Sequence, residues 1–349
     1  MGQNSIADFT RRVLVLLAIV GLAALVLKLG YLLLLLFASA VVAVVIRLIA
    51  RQFNRIGLSD GLSTTFAVLV MLLSMVGFGW VFGGLISSQF TTLAEQFPDA
   101  VNRVQDQLDG WGIDYNLESA ADSLSDQAET IFQRGAGFMI SAGSVIADMV
   151  LVLAGAVFLA AQPGFYRRGL IRLLPKTSEK LAETTIDDCG RGLKLWLGGQ
   201  LVASLFVGVI AFIGLTIIGV PSAFALALIA AIFELIPFVG PILAAIPAIV
   251  LGLSVSPTMG LWTLILYIVL QQIEGNVLSP IIQKRAVELP PLVLLFAIFA
   301  AGVIFGAPGV ILAAPLTVVV YVLVQHLYIG HVLGRPVKRP GRHEENEEI

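Results

Sequence analysis

Long apolar runs constrain the fold of this chain more than any other feature of its sequence. A helix needs about 20 predominantly apolar residues to cross the hydrocarbon core of a bilayer. Hydrophobic residues make up 58% of the 349 residues and charged residues only 13%, whereas soluble domains carry about 25% charged residues. The pattern therefore predicts an all-helical integral membrane protein embedded in a lipid bilayer. Its six predicted full spans are Val13–Leu27, Leu29–Ile46, Leu62–Ile86, Phe138–Ala161, Leu197–Gly219 and Met259–Ile282.

Two further apolar stretches, Ser222–Leu253 and Pro290–Ile329, are too long for one simple span. Each contains helix-breaking residues in its middle, Pro237–Pro241 in the first and Gly306–Gly309 in the second. Proline removes a helical hydrogen bond, and glycine adds backbone freedom, so both stretches are predicted to break there. The predicted fold is thus a polytopic helical bundle of six full spans and two re-entrant or broken segments, which makes eight hydrophobic segments.

Two polar segments indicate how the chain is oriented in the membrane. Residues 87–137 are strongly acidic with apolar residues at helical spacing, which predicts an amphipathic helical pair with a turn at Gly110–Gly112. Residues 163–196 are rich in Lys and Arg, which collect in cytoplasmic loops. We therefore expect an extracytoplasmic acidic segment, a cytoplasmic basic segment and cytoplasmic N- and C-termini. Because the acidic helices leave apolar stripes that one small bundle does not cover, we also expect a homo-oligomer.

The two broken segments leave two topologies open, since each segment either crosses the membrane or re-enters it. The re-entrant arrangement is favoured because it places more of the Lys and Arg residues in the cytoplasm. Similar sequences follow the two breaks, Gly240–Pro247 and Gly309–Pro315, and each broken segment follows one full span. Re-entry would make these two units an inverted repeat, and in many secondary transporters the interrupted segments of such repeats form the solute site.

These features divide the chain into six parts. They are three N-terminal transmembrane helices (1–86), the extracytoplasmic acidic segment (87–137), a transmembrane helix (138–162), the cytoplasmic basic segment (163–196), a transport core with broken helices (197–330) and a cytoplasmic polar tail (331–349).

Polar residues inside the apolar segments are the candidates for a solute or ion site, because an ionisable group in hydrocarbon is costly. Glu234 precedes the first break, Glu274 lies in the only polar cluster of a full span, and Asp148 lies well inside the fourth span. A structural hydrogen bond between helices is the alternative for each, and small neighbours favour it for Asp148. Backbone groups at broken helices can also bind ions or solute. The remaining candidates are Gln271, Gln272 and Asn276 beside Glu274, and Pro237, Gly240, Pro241, Pro308 and Gly309 at the breaks.

Other classes of function lack their sequence signatures. The chain contains no nucleotide-binding P-loop, no His-Glu-x-x-His motif and no Gly-x-Ser-x-Gly motif, so we expect neither an enzyme nor a cofactor. The single cysteine, Cys189, excludes a multi-cysteine metal site. His326 and His331 are five residues apart and would not share a helix face, which disfavours a zinc pair. A net charge of −2 indicates no nucleic-acid partner.

Four motifs resemble the autoinducer-2 exporter family of predicted permeases. They are Glu234–Pro241 with Ala245–Pro247, Glu274–Pro280, Leu289–Leu292, and Gly306–Gly309 with Ala314–Leu316. The resemblance implies a bacterial inner-membrane oligomer that moves small solutes. Members have been linked both to export of the furanosyl signal autoinducer-2 and to sodium/proton exchange. Many members have Asn where this chain has Glu234, and this difference makes ion coupling more plausible here.

The sequence accordingly predicts a secondary transporter or exporter of a small polar solute. Within transport, the alternative is a cation (sodium)/proton antiporter driven by protonation of Glu234 or Glu274. From a different class, the chain could be a membrane scaffold or assembly factor that acts through its acidic segment. The broken helices argue against a scaffold, since unwound backbone at membrane depth is tolerated mainly where it lines a cavity or is buried in protein.

Overall fold

The structure, a computed structural model, describes residues 28–110, 142–278, 289–337 and 340–341. Within these ranges all regular secondary structure is helical. The helices are α1 (Gly30–Arg55), α2 (Asp60–Gly110), α3 (Ala142–Ala161), α4 (Pro163–Arg172), α5 (Glu179–Ile218), α6 (Ala223–Phe233), α7 (Val239–Val255), α8 (Pro257–Ile273), α9 (Pro291–Phe305) and α10 (Ala307–Leu323). Wider π-helical turns extend α8 through Glu274–Leu278 and α10 through Val324–Val332.

Four helical segments in the described ranges are long and apolar enough to cross a membrane: Gly30–Arg55, Lys176–Ile218, Pro257–Leu278 and Ala307–Val332. The pair Ala147–Ala161 and Pro163–Arg172 adds a fifth if it is taken as one span bent by 88°. The chain is therefore a multi-pass helical membrane protein, which confirms the predicted class. The first predicted span, Val13–Leu27, lies outside the described residues, and the total of eight hydrophobic segments stays a prediction.

Helix α2 continues without interruption from the third apolar run into the acidic segment. Its 51 residues extend about 76 Å at 1.5 Å per residue, more than twice the ~30 Å hydrocarbon core. The boundary predicted after residue 86 therefore falls within a helix. The predicted turn at Gly110–Gly112 begins at the last described residue of α2, and the second helix of the predicted acidic pair lies outside the described residues.

The basic segment is helical and packed rather than a free loop. The chain turns at Gln162, whose backbone is not helical, and proline at the first position of α4 suits a helix start because its missing N–H would be unpaired there. Arg167 on α4 lies 2.9 Å from Asp187 and 3.8 Å from Glu183 of α5. Helix α5 then runs through the boundary predicted after residue 196 into the fifth apolar run.

Three apolar cores organise the described residues. One joins α5, α6, α7 and α8, a second joins α1, α2 and α3, and a third joins α9 and α10. Small residues allow the closest helix crossings, as is usual in membranes. A Cβ atom on Gly252 of α7 would lie 3.2 Å from the Cα of Gly260 on α8. Large apolar side chains such as Val303 and Ile217 are 87% and 80% exposed, which suits a surface that faces lipid.

The arms of the two broken segments differ in length. Helices α6, α7 and α9 have 11, 17 and 15 residues and extend roughly 16–26 Å. Each is shorter than the ~30 Å hydrocarbon core. Helix α10 with its π-helical extension has 26 residues and is long enough to cross. The re-entrant topology and the inverted repeat stay predictions.

Candidate functional site

The first break lies between α6 and α7 and exposes backbone carbonyls. At the end of α6 the amide of Leu235 donates to Ile232 and that of Ile236 donates to Phe233, three residues back rather than four. Pro237 has no amide hydrogen to donate. The carbonyls of Ala231 and Glu234 are therefore left without the backbone donors that a continuing helix would supply.

Helix α5 supplies donors to both of these carbonyls. The Gln200 amide nitrogen Nε2 donates to the Glu234 carbonyl oxygen, and the Ser204 hydroxyl donates to the Ala231 carbonyl oxygen, each at 2.5 Å. Because residues four apart lie on one helix face, a single face of α5 holds the end of α6. Neither residue was predicted from the sequence, although a Gln and a Ser spaced by four inside an apolar run were the available signal.

A glycine follows each break and packs directly on the preceding arm. A Cβ atom on Gly240 would lie 1.8 Å from the Phe233 carbonyl oxygen, and one on Gly309 would lie 2.1 Å from the Ala301 carbonyl oxygen. No side chain fits at either place. The helix pairs α6–α7 and α9–α10, called the first and second hairpin below, thus close in the same way, which gives a structural reason for the glycine that begins both similar sequences.

The side chains of Glu234 and Glu274 meet beside the first break. Glu234 is only 1% exposed, and its carboxyl group lies beside the Glu274 carboxyl group. The second Glu234 oxygen, Oε2, is buried and has no hydrogen-bond partner among the described residues. Two carboxylates are both acceptors only, so a hydrogen bond between them requires a proton. The pair is therefore a chemical arrangement that can hold and release a proton or another small cation.

The polar cluster around Glu274 sits where α8 widens into its π-helical turn, a feature often found at functional sites. Gln271 Nε2 donates to Glu274 Oε2 at 3.3 Å, and Asn276 Nδ2 donates to Gln272 Oε1 at 3.2 Å. The partners are three and four residues apart, the spacings that place side chains on one face of a helix. The amide side chains are exposed while Glu274 is half-buried.

The tip of the first hairpin packs against the second hairpin. Ile236 and Val239, which flank Pro237, contact the apolar core of α9 and α10. Phe305 and Val310, on either side of the second break, pack on the same core. Both breaks are thus brought into one region of the molecule. Pro237 and Pro241 are half-buried, Gly309 is buried and Pro308 is exposed.

The comparisons with known proteins decide the family. Residues 14–329 match the family described as "AI-2E family transporter". This chain belongs to the AI-2E transporter family. The resemblance seen in the four sequence motifs is confirmed, and with it the prediction of a membrane transporter.

Relatives match this chain over most of their own length. "Putative transport protein YrrI" of Bacillus subtilis is 31% identical over 76% of this chain and 79% of its own. "Putative transport protein YueF" of the same organism is 27% identical over 86% and 84%. "Putative transport protein YhhT" of Escherichia coli is 23% identical over 86% and 88%. Each name describes a transport protein and states no substrate.

Asp148 lies on a helix that is not part of the Glu234–Glu274 pair. Its Oδ2 accepts a hydrogen bond from the Tyr31 hydroxyl at 2.5 Å, which links α3 to α1. Helix α3 packs on α1, α2 and α4 rather than on the hairpins. This contact favours the structural interpretation of Asp148, that of a polar bond between two helices.

A buried polar contact that was not predicted from the sequence joins the polar end of α5 to the end of α10. Oδ2 of Asp188 lies 3.1 Å from Nε2 of His326, and both side chains are less than 10% exposed. Arg191 approaches the other Asp188 oxygen at 3.9 Å. His331 is exposed, and no group of three or more metal-ligating side chains occurs in the described ranges. The contact thus ties α5 to the π-helical extension of α10.

Proposed function

We propose that this AI-2E transporter is a secondary transporter of a small polar solute and that protons couple its transport through the Glu234–Glu274 pair. The buried contact between the two carboxyl groups carries the proposal. An ionised carboxylate buried beside another carboxylate is unfavourable, so the pair changes its interactions when it gains or loses a proton. Cation/proton antiport is the variant of this function that the pair itself favours.

The place of the pair supports the coupling. Glu234 ends α6, and its carbonyl is one of the groups exposed by the break. Glu274 begins the π-helical turn of α8. Protonation would thus alter a contact between the end of α6 and the π-helical turn of α8, both of which have irregular backbone. Irregular backbone in a membrane protein is tolerated where it lines a cavity or is buried. A solute site beside the tips, with amides from Gln271, Gln272 and Asn276, is the accompanying proposal.

The membrane arrangement is proposed with this function. The AI-2E transporter would lie in a bacterial inner membrane with both termini in the cytoplasm, and its two broken segments would re-enter from opposite faces as an inverted repeat. The short arms α6, α7 and α9 support re-entry. Export of a signal such as autoinducer-2, and assembly into a homo-oligomer with contacts from residues 89–131, belong to the same proposal.

The test is flux in proteoliposomes that contain the purified full chain and a trapped pH-sensitive dye. Autoinducer-2 and sodium are supplied separately, with and without an imposed pH gradient. We expect proton movement that depends on solute or sodium in the wild type. We expect its loss in Glu274→Gln and Glu234→Gln, since Gln keeps the shape of the side chain but has no carboxyl group to gain or lose a proton. Asp148→Asn is the matched control, because it removes a carboxylate from a span outside the site.

The outcomes separate coupling from structure. Wild-type proton movement in both Glu→Gln variants, at every pH between 5.5 and 8.5 (roughly the range over which shifted carboxyl groups and histidines titrate), would rule out the coupling role. Loss of proton movement in Asp148→Asn, as well as in the two Glu→Gln variants, would show a general effect of removing a carboxylate from an apolar segment. Solute flux without proton movement in the wild type would leave transport but refute proton coupling.

A further inference from the structure

The hydrogen bond from Gln200 acts on the same residue that carries the buried carboxyl group. Gln200 Nε2 donates to the carbonyl of Glu234, whereas Ser204 donates to the carbonyl of Ala231, one turn earlier. The peptide that follows Glu234 is held from its other side, because the Leu235 amide donates to Ile232. Gln200 therefore helps to fix the orientation of the Glu234–Leu235 peptide, which is attached to the Cα atom that carries the Glu234 side chain.

The direction of the Glu234 side chain matters because the side chain has almost no room to compensate. It is 1% exposed, and a buried side chain is confined by its neighbours to few rotamers. A rotation of the Glu234–Leu235 peptide would consequently move the carboxyl group relative to Glu274 on α8. Interactions between charged groups in a poorly hydrated interior depend strongly on such small changes of distance.

We infer that Gln200 is a positioning residue for the Glu234–Glu274 pair, which sets the separation of the two carboxyl groups through the Glu234 carbonyl. The effect of Gln200 on transport rests on the proposed function. Its effect on the separation of the two carboxyl groups does not depend on that function. The simpler role, satisfying an exposed carbonyl, applies equally to Ser204. The two residues therefore form a matched comparison on one face of one helix.

The experiment measures the protonated-carboxyl infrared band of the purified full chain as a function of pH. The part of the band that disappears in Glu234→Gln reports the pair. Gln200→Met removes the amide donor while keeping the length of the side chain, and Ser204→Ala removes the equivalent donor one turn away. We expect Gln200→Met to move the midpoint of the band by about half a pH unit or more, which is the scale set by one hydrogen bond. Ser204→Ala should leave the midpoint unchanged.

Equal shifts in Gln200→Met and Ser204→Ala, or no shift in either, would overturn the inference. A band that shows no contribution from Glu234 in the wild type would also overturn it, because the pair would then hold no titrating proton. If Gln200→Met does not fold, Gln200→Asn provides a second test, since its shorter amide cannot reach the carbonyl in the same position and should shift the midpoint too.

Proteoliposome flux of the same variants distinguishes this inference from the proposed function. A shifted band in a protein without proton-coupled flux would refute the function and retain Gln200 as a positioning residue. Proton-coupled flux with identical pH profiles in the wild type and Gln200→Met would retain the function and refute the positioning role.

Discussion

Replacement of Gly240 by alanine is the sharpest test of how the first hairpin closes. The added Cβ atom would lie 1.8 Å from the Phe233 carbonyl oxygen and 2.5 Å from its carbonyl carbon, whereas Cβ contacts under 3.0 Å are essentially never observed. The obstacle is backbone, so no side-chain rotation relieves the clash. The two arms must separate by about 1 Å or more, which would disturb the packing of α6 on α7. Overpacking typically costs about 1–3 kcal/mol, occasionally more, and we expect the upper end here.

The assay is thermal unfolding of the purified protein in mild detergent, with the Gly198→Ala variant as control. A loss of about 3 kcal/mol corresponds to a fall of roughly 5–10 °C in the apparent unfolding temperature. Gly198 lies on α5 with no atom within 4 Å of its added Cβ. Alanine is there favoured over glycine by about 0.5–1 kcal/mol because it suits a helix better. An unfolding temperature for Gly240→Ala equal to or above that of Gly198→Ala would refute the close approach of the two arms.

Three further changes test other parts of the structure. Gly309→Ala should destabilise the second hairpin by a similar ~1–3 kcal/mol, and unfolding like that of the wild type would contradict its packing. His326→Leu should lower the free energy of unfolding by about 1–3 kcal/mol because it leaves the buried Asp188 Oδ2 without its nearest polar partner, while the exposed control His331→Leu should change it by less than about 0.5 kcal/mol; equal effects in denaturant unfolding would contradict the buried contact. Lys284 lies outside the described residues, and the re-entrant topology predicts that it is cytoplasmic. Lys284→Cys in a chain whose only native cysteine, Cys189, is replaced should therefore react with a membrane-impermeant thiol reagent only from the cytoplasmic side, and external labelling would refute the re-entrant topology.

The class of the protein and the places of its breaks could be read from the sequence because both depend on local properties. A run of apolar residues partitions into the bilayer whatever its neighbours are. Helix Gly30–Arg55 begins one residue after the predicted start of its span, and Ala142–Ala161 ends at the predicted residue, whereas the first helix continues nine residues beyond the predicted end at Ile46. Pro237 and Gly306 interrupt helices through their own covalent geometry. The family motifs lie in these same segments, which is why transport could be predicted from the sequence alone.

Whether a helix continues from an apolar segment into a polar one could not be predicted from the local sequence pattern. The change from apolar to acidic sequence near residue 86 predicted a change of environment, but α2 passes through it because its backbone hydrogen bonds are satisfied within the helix in either solvent. The same is true of α5, which joins the basic segment to the fifth apolar run. Hydropathy therefore locates a span within a helix but not the end of that helix.

Only the tertiary structure decided which polar groups meet. Glu234 and Glu274 are 40 residues apart, Gln200 reaches a carbonyl 34 residues away, and Asp188 meets a histidine from another helix. Each contact depends on how far a helix is rotated about its axis and where it crosses its neighbour, and those quantities are set by side-chain packing over the whole core. The sequence thus determined which residues are costly to bury. The packing of α5, α6, α8 and α10 determined which polar group lies against each of them.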